Sequence, residues 1–161
     1  MRTVKIENRE EIAEIIGACR TCFLGMADSE GKPYVLPMNF GFNGEEIILH
    51  SAPEGRMVDI LKSNPQVCVT FCHGDELAYM HEQVACSYRV KSKTVVAEGN
   101  VRFVDDFDEK EKYLHQMMKQ YTDRTFKFGA PAVKNVCIVV MKIDAIGARE
   151  FGAPPTSAWV R

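Results

Sequence analysis

Apolar residues along this chain come in short bursts, and the spacing within them changes from segment to segment. Behind Asn8, the run Arg9–Ala18 places Ile12, Ile15 and Ile16 on one stripe, the spacing of an amphipathic helix. Asn8 suits the first free amides, and Glu11 three residues on completes an approximate capping box. From Cys22 the period shortens to two. Strand-like runs at 22–27, 34–42 and 47–50 are separated by the polar turn 28–32 and by Asn43-Gly44. Asn-Gly between two apolar runs is a strong hairpin signal, because the turn it favours needs positive φ.

A short helix is expected over 55–63. Over 66–72, Val67, Val69 and Phe71 then alternate with Cys68, Thr70 and Cys72. Residues 73–84 show no usable period and read as irregular. Further strands are expected over 86–90 and 94–104, the second bent or bulged at Gly99-Asn100. Asp106 or Asp108 would cap a long helix with Tyr113, Leu114, Met117, Met118 and Tyr121 turned inward, and 136–143 forms a last strand. Six or seven short strands with two or three helices predict a mostly β fold with peripheral helices (α+β), a small barrel of antiparallel strands.

Composition narrows this only a little. A chain of 161 residues suits one domain spanning 1–161, large enough to form a core without disulfides or metals. Twenty Lys and Arg against 22 Asp and Glu give a net charge of −2, without the basic face that nucleic-acid binding requires. No apolar run approaches the ~20 residues of a membrane span, and the first residues lack a signal-peptide core, so a cytoplasmic protein is expected. The six cysteines sit in apolar segments and read as reduced thiols.

Four stretches could carry chemistry. Residues 49–65 run from a strand end through His50-Ser51 to a helix start headed by Arg56. A helix N-terminus presents free amides and the positive dipole end, and Arg56 adds a planar fork suited to phosphate. Lys62, nearly two turns on, need not share the direction of Arg56, though it could reach a ligand lying along the helix. Cys68, Cys72, His73, His81 and Cys86 are zinc-ligand types at irregular spacing; on one strand Cys68 and Cys72 would stand ~13 Å apart, too far for one ion. No metal is expected. Cys19-Arg-Thr-Cys22 closes a helix and opens a strand, the reverse of a thioredoxin-type motif. Over 87–93, Ser87, Arg89, Lys91 and Lys93 alternate on one strand face, alone a solvated surface but beside 49–62 a second set of donors for one anion.

Together these segments resemble the pyridoxamine 5′-phosphate oxidase-like flavoprotein superfamily, in particular its short nitroimidazole-resistance branch. The resemblance rests on Gly31-Lys-Pro-Tyr-Val-Leu-Pro-Met-Asn-Phe-Gly41, on Ile48-Leu-His-Ser-Ala52 with Gly55-Arg56, on Asn64-Pro-Gln-Val-Cys68, and on the region from Ser87-Tyr88-Arg89 to Gly99. It covers roughly 8–145. It implies an FMN-binding split β-barrel that forms a homodimer, with the cofactor at the subunit interface. By the same resemblance, Pro37, Met38, Asn39 and Phe40 would lie along the flavin ring. His50 and Ser51 would sit near the ribityl chain, and Arg56, with Lys62, would hold the phosphate. Ser87, Tyr88 and Arg89 would approach the cofactor from the partner subunit. The implied activity is an FMN-dependent oxidoreductase acting on small electron-poor compounds, nitroimidazoles included. The alternative is a non-catalytic protein of the same fold that stores or senses flavin or haem. No catalytic side chain stands out. The residues 152–161 lack the Arg-x-His pair of true pyridoxamine phosphate oxidases, which argues against vitamin B6 oxidation. His50 stays open between a flavin contact, a haem ligand and a plain strand end.

Overall fold

The computed structural model describes residues 2–153, so the tail 154–161 that bears on B6 oxidation lies outside the described residues. The elements run β1 (Arg2–Ile6), α1 (Arg9–Ala18), β2 (Cys22–Ala27), β3 (Pro33–Met38), β4 (Phe40–Phe42), β5 (Glu46–Ser51) and α2 (Arg56–Ser63). They continue with β6 (Gln66–Ala78), β7 (Arg89–Val104), α3 (Phe107–Lys119), α4 (Ala130–Lys134) and β8 (Cys137–Ala153). One sheet holds all eight strands in the order β3-β2-β6-β7-β8-β5-β4, with β1 also on β8. Every pairing is antiparallel, and the sheet curls into a half-barrel with the helices packed against it.

The curl creates two cores. Ile12, Ile15 and Ile16 of α1 close the inner one against Leu24, Val69, Phe71, Val95 and Ala97. A smaller one joins Tyr113 and Met117 of α3 to Ile48, Ile138 and Val140. Strand β5 serves both: Ile47 and Leu49 face inward while Ile48 faces α3. That double burial explains why 47–49 reads as an unbroken apolar run instead of alternating.

Local signals fix several joints. Asn8 accepts from the amides of Glu10 and Glu11. Asp106, of the two candidates, caps α3 by accepting from Glu109 N at 2.8 Å. Asn43 turns the β4–β5 hairpin, its side chain accepting from the amides of Glu45 and Glu46. The bend at Gly99 is a bulge, where the β7–β8 register slips. A Cβ there would lie 2.0 Å from the carbonyl oxygen of Lys142, so only glycine admits the approach.

Elsewhere the strands depart from the expected boundaries. The run 34–42 breaks at Asn39 into β3 and β4. Residues 73–78, expected to be irregular, extend β6, and 86–90 is not a separate strand: a 3₁₀ turn at Ala85–Ser87 precedes β7, which takes in Arg89 and Val90 and runs unbroken to Val104. β8 continues ten residues past 143 to Ala153, and β1 and α4 were not anticipated. Most residues of the added strand segments are polar or small, so ladder hydrogen bonds hold them in the sheet without an apolar alternation to announce it, and α4 is too short to show a helical period.

Candidate functional site

Strand β3 and the loop from β5 to α2 enclose a groove of about 310 Å³, lined by Tyr34, Leu36, Pro37, Met38, Ser51 and the α2 start. The period-two pleat sends Tyr34, Leu36 and Met38 to this side. Gly55 precedes α2 at φ +136°, a conformation that side chains resist, and no side chain caps the first-turn amides. Those amides and the dipole end therefore face the groove unneutralised by a cap. Arg56 lies with its guanidinium carbon 4.1 Å over the Tyr34 ring and forms no ion pair among the described residues. Stacking holds the fork in place while its N–H donors stay uncommitted. The Ser51 hydroxyl donates to Ala52 O at 2.8 Å and can still accept. Glu54, also on the rim, adds one opposing charge.

One residue back along β5, His50 points elsewhere. It borders a cavity of about 370 Å³ with Asn39, Leu114, Met117, Met118, Tyr121 and Phe128. That cavity is apolar and sulfur- and aromatic-rich, with one imidazole. The Tyr121 hydroxyl closes its base, accepting from Phe40 N at 2.9 Å and donating to Arg20 O at 3.1 Å.

The expected site residues are thus distributed. Pro37, Met38, Ser51 and Arg56 meet in the first groove. Asn39 and His50 line the neighbouring cavity. Phe40 is fully buried, edge-on to Phe71 at 4.8 Å, and its amide is already bonded, so it offers a ligand neither side chain nor N–H. Lys62 borders a third cavity that does not include Arg56.

Ser87, Tyr88 and Arg89 belong to an arm where β6 and β7 outrun the rest of the sheet. Ser87 ties the arm's loop, its hydroxyl accepting from His81 N and donating to His81 O. Tyr88 donates to Glu82 O at 2.7 Å and stacks on Tyr79 at 4.7 Å. Arg89 Nε is buried with no hydrogen-bond partner among the described residues, and Leu77, Tyr79, Met80, Val84 and Val90 are exposed around it. None of these three residues lines the Arg56 groove. Sequence reasoning missed Tyr34 and Phe128 as lining residues; Tyr34 was findable from its period-two spacing with Leu36 and Met38.

The Cys19 and Cys22 thiols are quiet. Burial pushes Cys22 up to about 12 and also raises Cys19, whose sulfur is bonded to Ile15 O and Cys72 O. Neither has thiolate character at neutral pH, which removes the chemistry a C-x2-C pair would need. Among the described residues no three His, Cys, Asp or Glu converge as metal ligands, and no helix is long and apolar enough to cross a membrane.

A curled antiparallel half-barrel with an uncapped helix start in a shallow groove defines the class by its fold: a split β-barrel. The family model described as pyridoxamine 5′-phosphate oxidase matches residues 8–149, and the chain belongs to that family. Among solved structures, it is 39% identical to a candidate 5-nitroimidazole antibiotic resistance protein from Bacteroides thetaiotaomicron. That match covers 93% of this chain and 88% of the other, with a TM-score of 0.84. Two more distant structures share the fold. The flavocytochrome Anf3 from Azotobacter vinelandii is 18% identical, covering 96% and 72% of the two chains with a TM-score of 0.79. The FAD- and haem-binding protein from Mycobacterium smegmatis is 14% identical, covering 96% and 76% with a TM-score of 0.81. No curated protein matches the chain at a significant level.

Proposed function

We propose that this protein is a cytoplasmic, homodimeric FMN-dependent oxidoreductase that reduces small electron-poor compounds, nitroaromatics among them. The observation that carries the reading is the α2 start: free amides behind Gly55, and Arg56 stacked on Tyr34 with its donors uncommitted. This donor set fits a phosphate dianion. Ser51 would add a hydroxyl, and Met38 with Leu36 an apolar bed for the ring. When bound, the flavin supplies the electron transfer; the chain's own part is to hold and orient it and to limit access of water.

The dimer is supported by two features. The groove is shallow, at the lower end of the about 300–1,000 Å³ usual for ligand sites, so one subunit leaves a flavin nucleotide partly uncovered. The arm carries exposed apolar residues and the unpartnered Arg89 Nε, a surface suited to a second copy. The identity to the nitroimidazole-resistance relative supports the substrate class.

Purified protein should be yellow, release FMN on denaturation, and oxidise a reduced nicotinamide or chemical donor when a nitroaromatic is added. Colourless protein that takes up no FMN would sink the proposal. A second reading, a non-catalytic flavin- or haem-binding protein, is favoured by His50 standing at an apolar cavity. A Soret band on haem addition, without nitroaromatic turnover, would select it.

A further inference from the structure

Helix α2 also borders a cavity of about 360 Å³ that lies between it, the β7–α3 junction, α4 and the start of β8. Three lysines line it, each from a different helix: Lys62 from α2, Lys110 from α3 and Lys134 from α4. Asp105 is the one carboxylate among the lining residues, and none of the three lysines forms an ion pair among the described residues. Lys110 is held in place by donating to Val136 O at 2.9 Å, which leaves two of its three donors unused. Lys62 and Lys110 both lie close enough to the Cys137 thiol in the cavity wall to favour its ionised form, although burial outweighs them and raises it. Three cations against one carboxylate leave a surplus of two positive charges around a space whose remaining walls include Val58, Phe103, Val104 and Val136. Like charges gathered this way repel one another unless an anion neutralises them.

We propose that this cavity binds a phosphate monoester of a small apolar molecule, its phosphate among Lys62, Lys110 and Lys134 and its organic part against Phe103 and Val104. A phosphate monoester carries about −1.5 to −2 at neutral pH, which matches the surplus. Sulfonates and carboxylates carry half of that charge and bind more weakly. The site adjoins the proposed flavin groove, sharing Val58 with it and meeting Ser51 through Cys137, but its three lysines do not line that groove, and Tyr34 and Arg56 do not line this cavity. Neither reading depends on the other.

The test is a calorimetric titration of the purified full chain with phenyl phosphate, with and without saturating FMN, alongside phenol. One site is expected with millimolar affinity or better, indifferent to FMN and to Arg56→Ala, and absent for phenol. Lys62→Glu combined with Lys134→Glu should weaken it at least tenfold, about 1.4 kcal/mol, while thermal melting confirms the fold. In the same samples, phenyl phosphate should slow iodoacetamide labelling of Cys137, resolved by peptide mass, and leave exposed Cys72 and Cys86 unchanged. No binding up to about 10 mM, some −2.7 kcal/mol, would overturn the proposal. So would displacement by FMN, full affinity in the double variant, or unaltered Cys137 labelling at saturation.

Discussion

Ser51 and His50 are neighbours in sequence and border different spaces. On the Ser51 side lie an uncapped helix start, a guanidinium and a shallow groove; on the His50 side lie Leu114, Met117, Met118, Tyr121 and Phe128 around one imidazole. The backbone is the same strand. Only the pleat separates them, with Met38 and Asn39 parted in the same way on the facing segment. One strand can thus border a polar, anion-seeking groove and an apolar cavity in consecutive residues. The electrostatics of one need not disturb the other.

Four substitutions would break or sharpen this contrast. Met117→Ala hollows the small core under the His50 cavity and should cost about 3 kcal/mol of stability, read as a lower urea midpoint at unchanged slope. Flavin affinity per folded molecule should hold; its loss would mean that the two sides act as one site. Arg56→Ala should weaken FMN by about 2 kcal/mol, roughly thirtyfold, with little change in melting. Fluorescence quenching of the free flavin reads this directly. Tyr121→Phe strips the acceptor from Phe40 N and should cost about 1 kcal/mol, seen also as faster exchange of the Phe40 amide. His50→Ala should change stability by less than about 0.5 kcal/mol and leave FMN binding intact, because His50 is exposed and outside the groove. A marked loss of FMN on His50→Ala would erase the division.

Where burial is one-sided, the chain announced its structure. Ile12, Ile15 and Ile16 gave α1, Val67, Val69 and Phe71 gave the inner half of β6, and Asn43-Gly44 gave the hairpin. The arm and the far half of β8 were illegible for a physical reason. Glu76 and Ala78 of β6, or Ala145 and Glu150 of β8, join the sheet through backbone ladders, and their side chains need not alternate in polarity. Ser51 and Arg56 stood out through a local strand–turn–helix motif, and they line one groove. At Phe40 a break at Asn39 turns the side chain into the core, and no residue type signals such a break. Lys62 was ambiguous from spacing alone, and the turn of the helix decides its direction.

The length of β8 also bears on how the chain reaches this state. Strands β1, β5 and β7 all pair with β8, including Arg2 with Ala153. During synthesis β5 and β7 emerge long before β8, and each must wait with an unpaired edge. Contacts so distant in sequence close slowly, and open edges invite association with other chains. The interval before residues 137–153 leave the ribosome is therefore when this protein is most exposed to aggregation, and when a chaperone that shields strand edges would raise its yield most.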